Sequence, residues 1–175
     1  MDFSGVLRKV DDFFVRHQRP WALAGAAALN AYGLSRATQD LDCIAEREIQ
    51  EALVAYLESE GYRTLYRSDG YSNHLHTDAA SGRLDFIYVA GDTSRRLFEG
   101  CRTSLFAGHP VRVPRPEHLA AMKVQAIKND PDRRLQDLAD IRFLLALPGV
   151  DEAEVRDYFE RAGLLGDFDE IRRAP

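Results

Sequence analysis

Three aspartates lie in segments that pattern as β-strands, at a spacing that would let them share a metal ion. Asp40 and Asp42 are separated by one residue in "DLDCIA", and Asp85 interrupts the apolar segment "RLDFIYV". Residues i and i+2 of a strand point to the same face, so Asp40 and Asp42 project together. If the two strands are neighbours, three carboxylates meet, and their mutual repulsion favours a bound cation. Mg²⁺ prefers oxygen ligands, and paired metal ions promote in-line phosphoryl or nucleotidyl transfer.

An isolated Asp-x-Asp pair is more often a solvated strand end, so this interpretation depends on a second motif. The segment "LAGAAALNAYG" (residues 23–33) predicts a helix that begins at Gly25 and Ala26. Unpaired N–H groups at a helix start can bind phosphate, and small side chains let the phosphate approach the backbone. Together with Asp85, this motif favours the metal interpretation of Asp40 and Asp42.

The elements that must position these residues follow a mixed α/β order, and the chain ends in helices. Amphipathic periodicity predicts helices over 3–17, 26–33, 46–61, 93–100, 116–130, 132–147 and, as the last, 151–163. Alternation and turn residues predict strands over 21–25, 40–45, 62–68, 71–78, 83–91, 102–106 and 110–114. We therefore expect an α/β core over residues 1–114 and a C-terminal helical segment over 115–175, packed on the core as one compact unit.

Lys123 is the first candidate in the helical segment, because its helical phase places it on an apolar face. It falls among Leu119, Ala126 and Ile127, whereas Lys128 falls on the opposite, polar side. A lysine in such a position either extends to the edge of the helix or meets an anion. Both a snorkelling side chain and a contact with a phosphate remain open at this point.

The next helix supplies Asp137 and Arg134 as candidates. Helical phase places Arg134 on the apolar face and Asp137 at its border, with Asp140 further out. Arg134 and Asp137, at i and i+3, could simply pair with each other. Asp137 is the stronger functional candidate of the two aspartates on phase alone.

Two histidines and two cysteines are weaker candidates for metal binding. His74 and His76 share a strand face, but no third ligand with clear spacing joins them, which favours an exposed strand pair. Cys43 and Cys101 also lack metal-type spacing, and so few cysteines are typical of a reduced cytoplasmic setting.

Taken together, these motifs resemble those of the polymerase-β-type nucleotidyltransferase superfamily. The resemblance rests on Gly25-Ala26, on "RATQDLD" (residues 36–42) and on the later acid Asp85. The R-x-T-x-D-L-D form is most similar to the bacterial AbiEii/AbiGii toxin-like branch. That branch also places a lysine on one helix and an aspartate on the next, as in "PEHLAAMKVQAIKNDPDRRLQDLADI" (residues 116–141). The resemblance covers roughly residues 18–147.

This resemblance implies a fold, a reaction and a set of site residues. The fold is α+β, a polymerase-β-like core with a twisted mixed sheet flanked by helices, plus the helical segment. The implied catalytic residues are Asp40, Asp42, Asp85, Lys123 and Asp137, of which the first three hold Mg²⁺ or Mn²⁺. The implied nucleotide-binding residues are Gly25, Ala26, Arg36, Thr38, Lys123 and Arg134. Arg36 could equally buttress the strand of Asp40.

One departure from the family pattern concerns Ala26. Many active members carry Ser or Gly there, so the hydroxyl that contacts phosphate would come from Thr38 or Ser35. Ala26 is also the feature that favours an inactive member, which would bind a nucleotide or a partner protein without catalysis.

The predicted function is therefore transfer of a nucleoside monophosphate from a nucleoside triphosphate to tRNA or protein, as a toxin with a cognate antitoxin. The alternative is an antibiotic-modifying enzyme that acts on an aminoglycoside or lincosamide-like molecule. The formal net charge of −5 over 175 residues excludes a global basic field and suits a cationic small molecule at least as well as RNA. With no apolar run of membrane-spanning length, we expect a cytoplasmic protein and no membrane partner.

Overall fold

A computed structural model describes residues 1–173 of the chain. Residues 174 and 175, which end the predicted segment 115–175, lie outside the described residues. The chain divides after Pro114 into two compact units, 1–114 and 115–175. No helix within residues 1–173 is long and apolar enough to cross a membrane.

The first unit contains both helices and strands. Its helices are α1 (Phe3–His17), α2 (Gly25–Ala31), α3 (Gln50–Ser59) and α4 (Gly91–Glu99). Its strands are β1 (Trp21–Leu23), β2 (Asp40–Glu46), β3 (Tyr62–Ser68), β4 (Tyr71–His76), β5 (Arg83–Val89), β6 (Arg102–Phe106) and β7 (His109–Val113). The largest difference from the predicted bounds is at α3, which begins at Gln50 because a 3₁₀ turn occupies Arg47–Ile49.

Five of these strands form one mixed sheet in the order β1-β2-β5-β4-β3. β2 and β5 are parallel, and the other neighbouring pairs are antiparallel. β6 and β7 form a separate hairpin around Ala107 and Gly108, both with positive φ, as a tight two-residue hairpin turn requires. This mixed sheet, flanked by helices, confirms the predicted α+β fold class.

The two faces of the sheet differ in what they bury. Leu41 and Cys43 of β2 and Phe86 of β5 are fully buried on one face. Phe14 of α1 packs there against Phe86, with ring centroids 6.4 Å apart, and α1 in turn packs against α3. Because side chains alternate along a strand, Asp40, Asp42 and Asp85 belong to the opposite face.

The second unit is helical. Its helices are α5 (Pro116–Asn129), α6 (Arg134–Leu145), α7 (Glu152–Ala162) and α8 (Leu165–Arg173). The prediction that the helix over 151–163 is the last one is wrong, since α8 follows it. Gly163 ends α7 in the left-handed conformation (φ 75°), and α8 then buries Phe168 and Ile171, with Phe168 packed on Phe159 of α7. With so few apolar residues, α8 has a weak sequence signal and depends on this packing.

Candidate functional site

The parallel pairing of β2 and β5 places the predicted acids next to one another. Asp42 lies directly opposite Asp85, and Asp40 lies opposite Arg83. Residues paired across neighbouring strands project to the same face of a sheet. The two strands are therefore neighbours, as the three-carboxylate hypothesis requires, and a basic residue shares their face.

Gly25 marks the closest approach of α2 to this site. Its φ is +53°, and a Cβ atom built on it would overlap the Asp42 carboxylate. The N–H of Ala24 also donates to the backbone carbonyl of Asp42 over 2.8 Å. Glycine is required here for two reasons, because other residues rarely adopt this φ and because any side chain would displace Asp42. Gly25 thus sets the position of an acid, and its contact with a phosphate remains a prediction.

Arg83 engages the third acid. Its Nε and Nη2 donate to the two oxygens of Asp85 over 2.9 and 3.0 Å, and Asp85 is only 6% exposed. This hydrogen bonding by Asp85 raises the pKa of Arg83. Burial, followed by a hydrogen bond with Asp85, raises the pKa of Tyr71 on β4 to about 12. Asp85 is therefore held by a cation that belongs to the protein itself.

The negative charge of this face also affects the thiol behind it. Burial raises the pKa of Cys43 well above its usual value, and the charges of Asp42 and Asp85 raise it further. Cys43 is fully buried and remains a neutral thiol at physiological pH. It contributes packing rather than a nucleophile or a metal ligand.

Asp40 is held by the residue two positions before it. The Thr38 hydroxyl contacts Asp40 Oδ1 at 2.8 Å and the backbone carbonyl of Asp40 at 2.9 Å. A hydroxyl has a single proton to donate, so in this arrangement Thr38 orients Asp40. The predicted role of Thr38 at the nucleotide, and that of Arg36 in the same loop, remain predictions.

The residues present fit a hard divalent cation by their donor chemistry. Asp40 and Asp42 are half-buried carboxylates on one face, with Asp85 in register. Among residues 1–173, however, no group of three or more His, Cys, Asp or Glu side chains is arranged to hold a metal ion. At Asp85, both carboxylate oxygens accept hydrogen bonds from Arg83. The metal site at Asp40, Asp42 and Asp85 remains a prediction.

In the second unit, Lys123 lies between two buried carboxylates of α6. Its Nζ is 2.8 Å from Asp137 Oδ1 and 2.6 Å from Asp140 Oδ2. Both aspartates are almost completely buried, and Arg133 approaches the other oxygen of Asp137 at 3.3 Å. The expectation that Asp140 lies outside the buried face is therefore wrong. Helical phase missed it because a paired carboxylate can be buried next to its cation.

The other basic residues of these helices lie elsewhere. Arg134 pairs with Asp167 and Glu170 of α8, at 2.8 and 2.5 Å, so the suggested pairing with Asp137 is not the one formed. Lys128 is exposed, as its helical phase indicates. The proposed roles of Lys123, Asp137 and Arg134 in catalysis or nucleotide binding remain predictions.

His74 is not the exposed strand residue that its spacing suggested. It is fully buried. Its Nε2 lies 2.8 Å from the Ser72 hydroxyl, and its Nδ1 lies 3.1 Å from the Thr64 hydroxyl. Burial lowers its pKa. The correction has a simple cause, since the hydroxyls of Thr64 and Ser72 give both ring nitrogens a partner, which makes a buried imidazole tolerable. The Ser72 hydroxyl is bonded in turn to the hydroxyl of Tyr88.

Three residues that contact the candidate residues of one unit or the other were not predicted from the sequence. Arg83 could have been found, because it stands two positions before Asp85 and so shares its strand face. Asn30, whose carboxamide binds the backbone of Arg36, and Asp140 had no such signal. Their roles depend on which loop or helix the fold places opposite them.

Solved structures place this geometry in a known class of fold. The chain is 19% identical to the antibiotic-resistance factor ANT(2'')-Ia in a solution structure, which covers 98% of this chain and 91% of that one, with a TM-score of 0.59. A crystal structure of ANT(2'')-Ia with adenylyl-2''-tobramycin gives 16% identity, 96% and 95% coverage and a TM-score of 0.60. The lincosamide adenylyltransferase LnuA, bound to lincomycin, is 14% identical to this chain. The match covers 81% of this chain and 96% of LnuA, with a TM-score of 0.58. The fold is thus that of the polymerase-β-like nucleotidyltransferases.

The sequence itself identifies the family. A family described as nucleotidyl transferase AbiEii toxin of type IV toxin–antitoxin systems matches residues 12–175. The chain belongs to this family, and it is an enzyme of the nucleotidyltransferase type. A comparison with curated protein sequences finds no significant match.

Proposed function

We propose that the protein transfers a nucleoside monophosphate from a nucleoside triphosphate to tRNA or protein, with Mg²⁺ or Mn²⁺ as cofactor. The observation that carries this proposal is the register of Asp42 opposite Asp85, with Asp40 on the same face. Membership of a toxin family supports a toxin-like role, a cognate antitoxin and a place in the bacterial cytoplasm.

In the proposed reaction, an acceptor oxygen bonds to the α-phosphorus while the bond from that phosphorus to the pyrophosphate oxygen breaks. Asp40 and Asp42 would hold the divalent cation, and Asp85 would complete its ligands. When bound, the cation neutralises phosphate charge and aligns the reacting oxygens. Asp85 accepts the proton of the acceptor, and pyrophosphate leaves with the electrons of the broken bond. Because Arg83 donates to both oxygens of Asp85, it would have to give up this contact when the cation binds.

The nucleotide is held from the side of α2 in this proposal. Gly25 lies against Asp42 and Ala26 follows it in α2, so small side chains leave the backbone accessible, and Arg36 belongs to the loop between α2 and β2. Ala26 supplies no hydroxyl, so the backbone and Arg36 provide the contacts that a serine would provide in other members.

A second candidate is modification of an antibiotic. The length of the structural match favours it, since this chain spans 91–96% of the length of ANT(2'')-Ia and LnuA. The net charge of −5 also suits a cationic drug.

The two candidates differ in which molecule becomes labelled. The protein is incubated with each nucleoside triphosphate carrying a labelled α-phosphate, Mg²⁺, and separately tRNA, total bacterial protein, an aminoglycoside or a lincosamide. We expect label in tRNA or protein, and none with the matched Asp42→Asn variant. Label only in a drug would support the second candidate. Both candidates are overturned if pyrophosphate is released but none of the four acceptors becomes labelled with any nucleoside triphosphate.

A further inference from the structure

The loop between α2 and β2 is fixed to α2 by one side chain. The Oδ1 of Asn30 accepts a hydrogen bond from the N–H of Arg36, and its Nδ2 donates to the carbonyl of Arg36, each over 2.9 Å. The carboxamide thus pairs with the backbone of Arg36 through both of its polar atoms. Both residues are half-buried.

Packing gives this loop little support of its own. Ser35, Ala37 and Gln39 are exposed, so alternate residues of the segment bury no side chain. A loop with few apolar contacts takes its conformation from hydrogen bonds and opens easily when they are lost. The contact with Asn30 is therefore a main determinant of where this loop lies.

The same loop leads directly to the predicted acids. Two residues after Arg36, the Thr38 hydroxyl contacts Asp40, and two residues after Asp40 the Asp42 carboxylate lies against Gly25. α2 therefore contacts this segment at two points, with its first residue at Asp42 and its sixth at Arg36. The Thr38–Asp40 contact lies between these points.

We propose that Asn30 is a positioning residue for nucleotidyl transfer, which fixes the loop so that Thr38 holds Asp40 in its catalytic orientation. This inference rests on the proposed function. The role is specific to asparagine, which offers one donor and one acceptor at the same reach. Aspartate would place an acceptor against the carbonyl of Arg36, and leucine, of similar shape, offers neither group.

The test compares Asn30→Leu and Asn30→Asp with wild type and with Asn129→Leu, which makes the same change at an exposed helical position. Hydrogen exchange followed by mass spectrometry measures protection of the Arg36 N–H, and steady-state kinetics measure kcat and the KM of the acceptor. We expect faster exchange confined to residues 34–40 in both Asn30 variants. We expect kcat to fall roughly ten- to a hundredfold, as for a displaced catalytic group, with the acceptor KM unchanged.

Three outcomes would overturn the inference: unchanged exchange, faster exchange with unchanged kcat, or an equal loss of kcat in Asn129→Leu. If Asn30→Leu does not fold, Asn30→Asp carries the same comparison. Failure of the proposed function is distinguishable, because wild type would then transfer no nucleotide. In that case, the rise in melting temperature on adding Mg²⁺ is measured in place of kcat. An equal rise in wild type and in both Asn30 variants would overturn the inference.

Discussion

The two units each contain a group of neighbouring carboxylates, but the two groups differ in how deeply they are buried. In the second unit, Asp137 and Asp140 are almost fully buried and are paired with Lys123 and Arg133. In the first, Asp40 and Asp42 are half-buried; Arg83 pairs with Asp85, and a neutral hydroxyl orients Asp40. Burial therefore separates the two groups, since Asp137 and Asp140 are enclosed by the protein whereas Asp40 and Asp42 keep part of their surface in solvent. An external cation can reach the carboxylates of the first unit, whereas those of the second unit are closed to it.

The largest effect should follow from removing an acid of the first unit. Asp42→Asn keeps the shape of the side chain and removes one charge, so the fold should persist while turnover falls about a hundred- to a thousandfold. Pyrophosphate release measures the turnover. Asp92→Asn, at an exposed position of α4, serves as the control. Comparable turnover in Asp42→Asn and wild type would remove Asp42 from the site.

Lys123→Met should act on stability, in contrast to Asp42→Asn. It removes the cation that lies between the buried carboxylates of Asp137 and Asp140, and loss of one partner of a buried pair costs about 3–5 kcal/mol of the free energy of unfolding. Urea denaturation measures this loss. The unpaired lysine expected from sequence would instead give little change in stability. Lys128→Met, exposed on the same helix, should be nearly silent, and equal stability of the two variants would contradict the structural role.

Arg83→Met tests whether the internal cation competes with an external one. Without the guanidinium, the face of Asp42 and Asp85 becomes more negative, and Mg²⁺ should bind roughly tenfold more tightly, as expected for loss of a like charge near the protein surface. Because a ligand of the native state raises stability by mass action, the shift in melting temperature on adding Mg²⁺ should grow. Arg95→Met, which breaks an exposed pair with Asp92, is the control. A shift no larger in Arg83→Met than in wild type would mean that Arg83 does not oppose the metal.

The smallest effect concerns the other face of the same sheet. Burial lowers the pKa of His74 below its usual 6.5, so the unfolded chain takes up a proton before the native state does. Stability is therefore present above about pH 6.5 and declines as the pH falls toward the native pKa, by at most about 1.4 kcal/mol per pH unit. His74→Gln should flatten this part of the stability profile. Burial also lowers the pKa of His118, which adds to the pH dependence of stability. If replacing both His74 and His118 leaves the stability profile as steep as in wild type, the assignment is refuted.

The sequence was most informative where the relevant signal is local. Alternation placed β3 and β6 at their observed bounds, and the Asp-x-Asp spacing put Asp40 and Asp42 on one face. The nature of the partners could not be read in this way. Whether Lys123 meets a phosphate or two buried carboxylates depends on how α6 packs on α5, and helical phase alone placed Asp140 on the wrong side. Asn30 likewise acts on a residue six positions away only because the chain reverses after α2.

The parallel pairing of β2 and β5 also fixes when the site can form during synthesis. β2 is complete at Glu46, but β5, with Asp85, ends only at Val89, after α3, β3 and β4 have been made. Until then, the edge of β2 that later pairs with β5 has no strand beside it, since β1 pairs with the other edge of β2. Parallel pairings between distant segments also form slowly. A nascent or truncated chain that stops before β5 therefore lacks Asp85 and cannot bring the three carboxylates together.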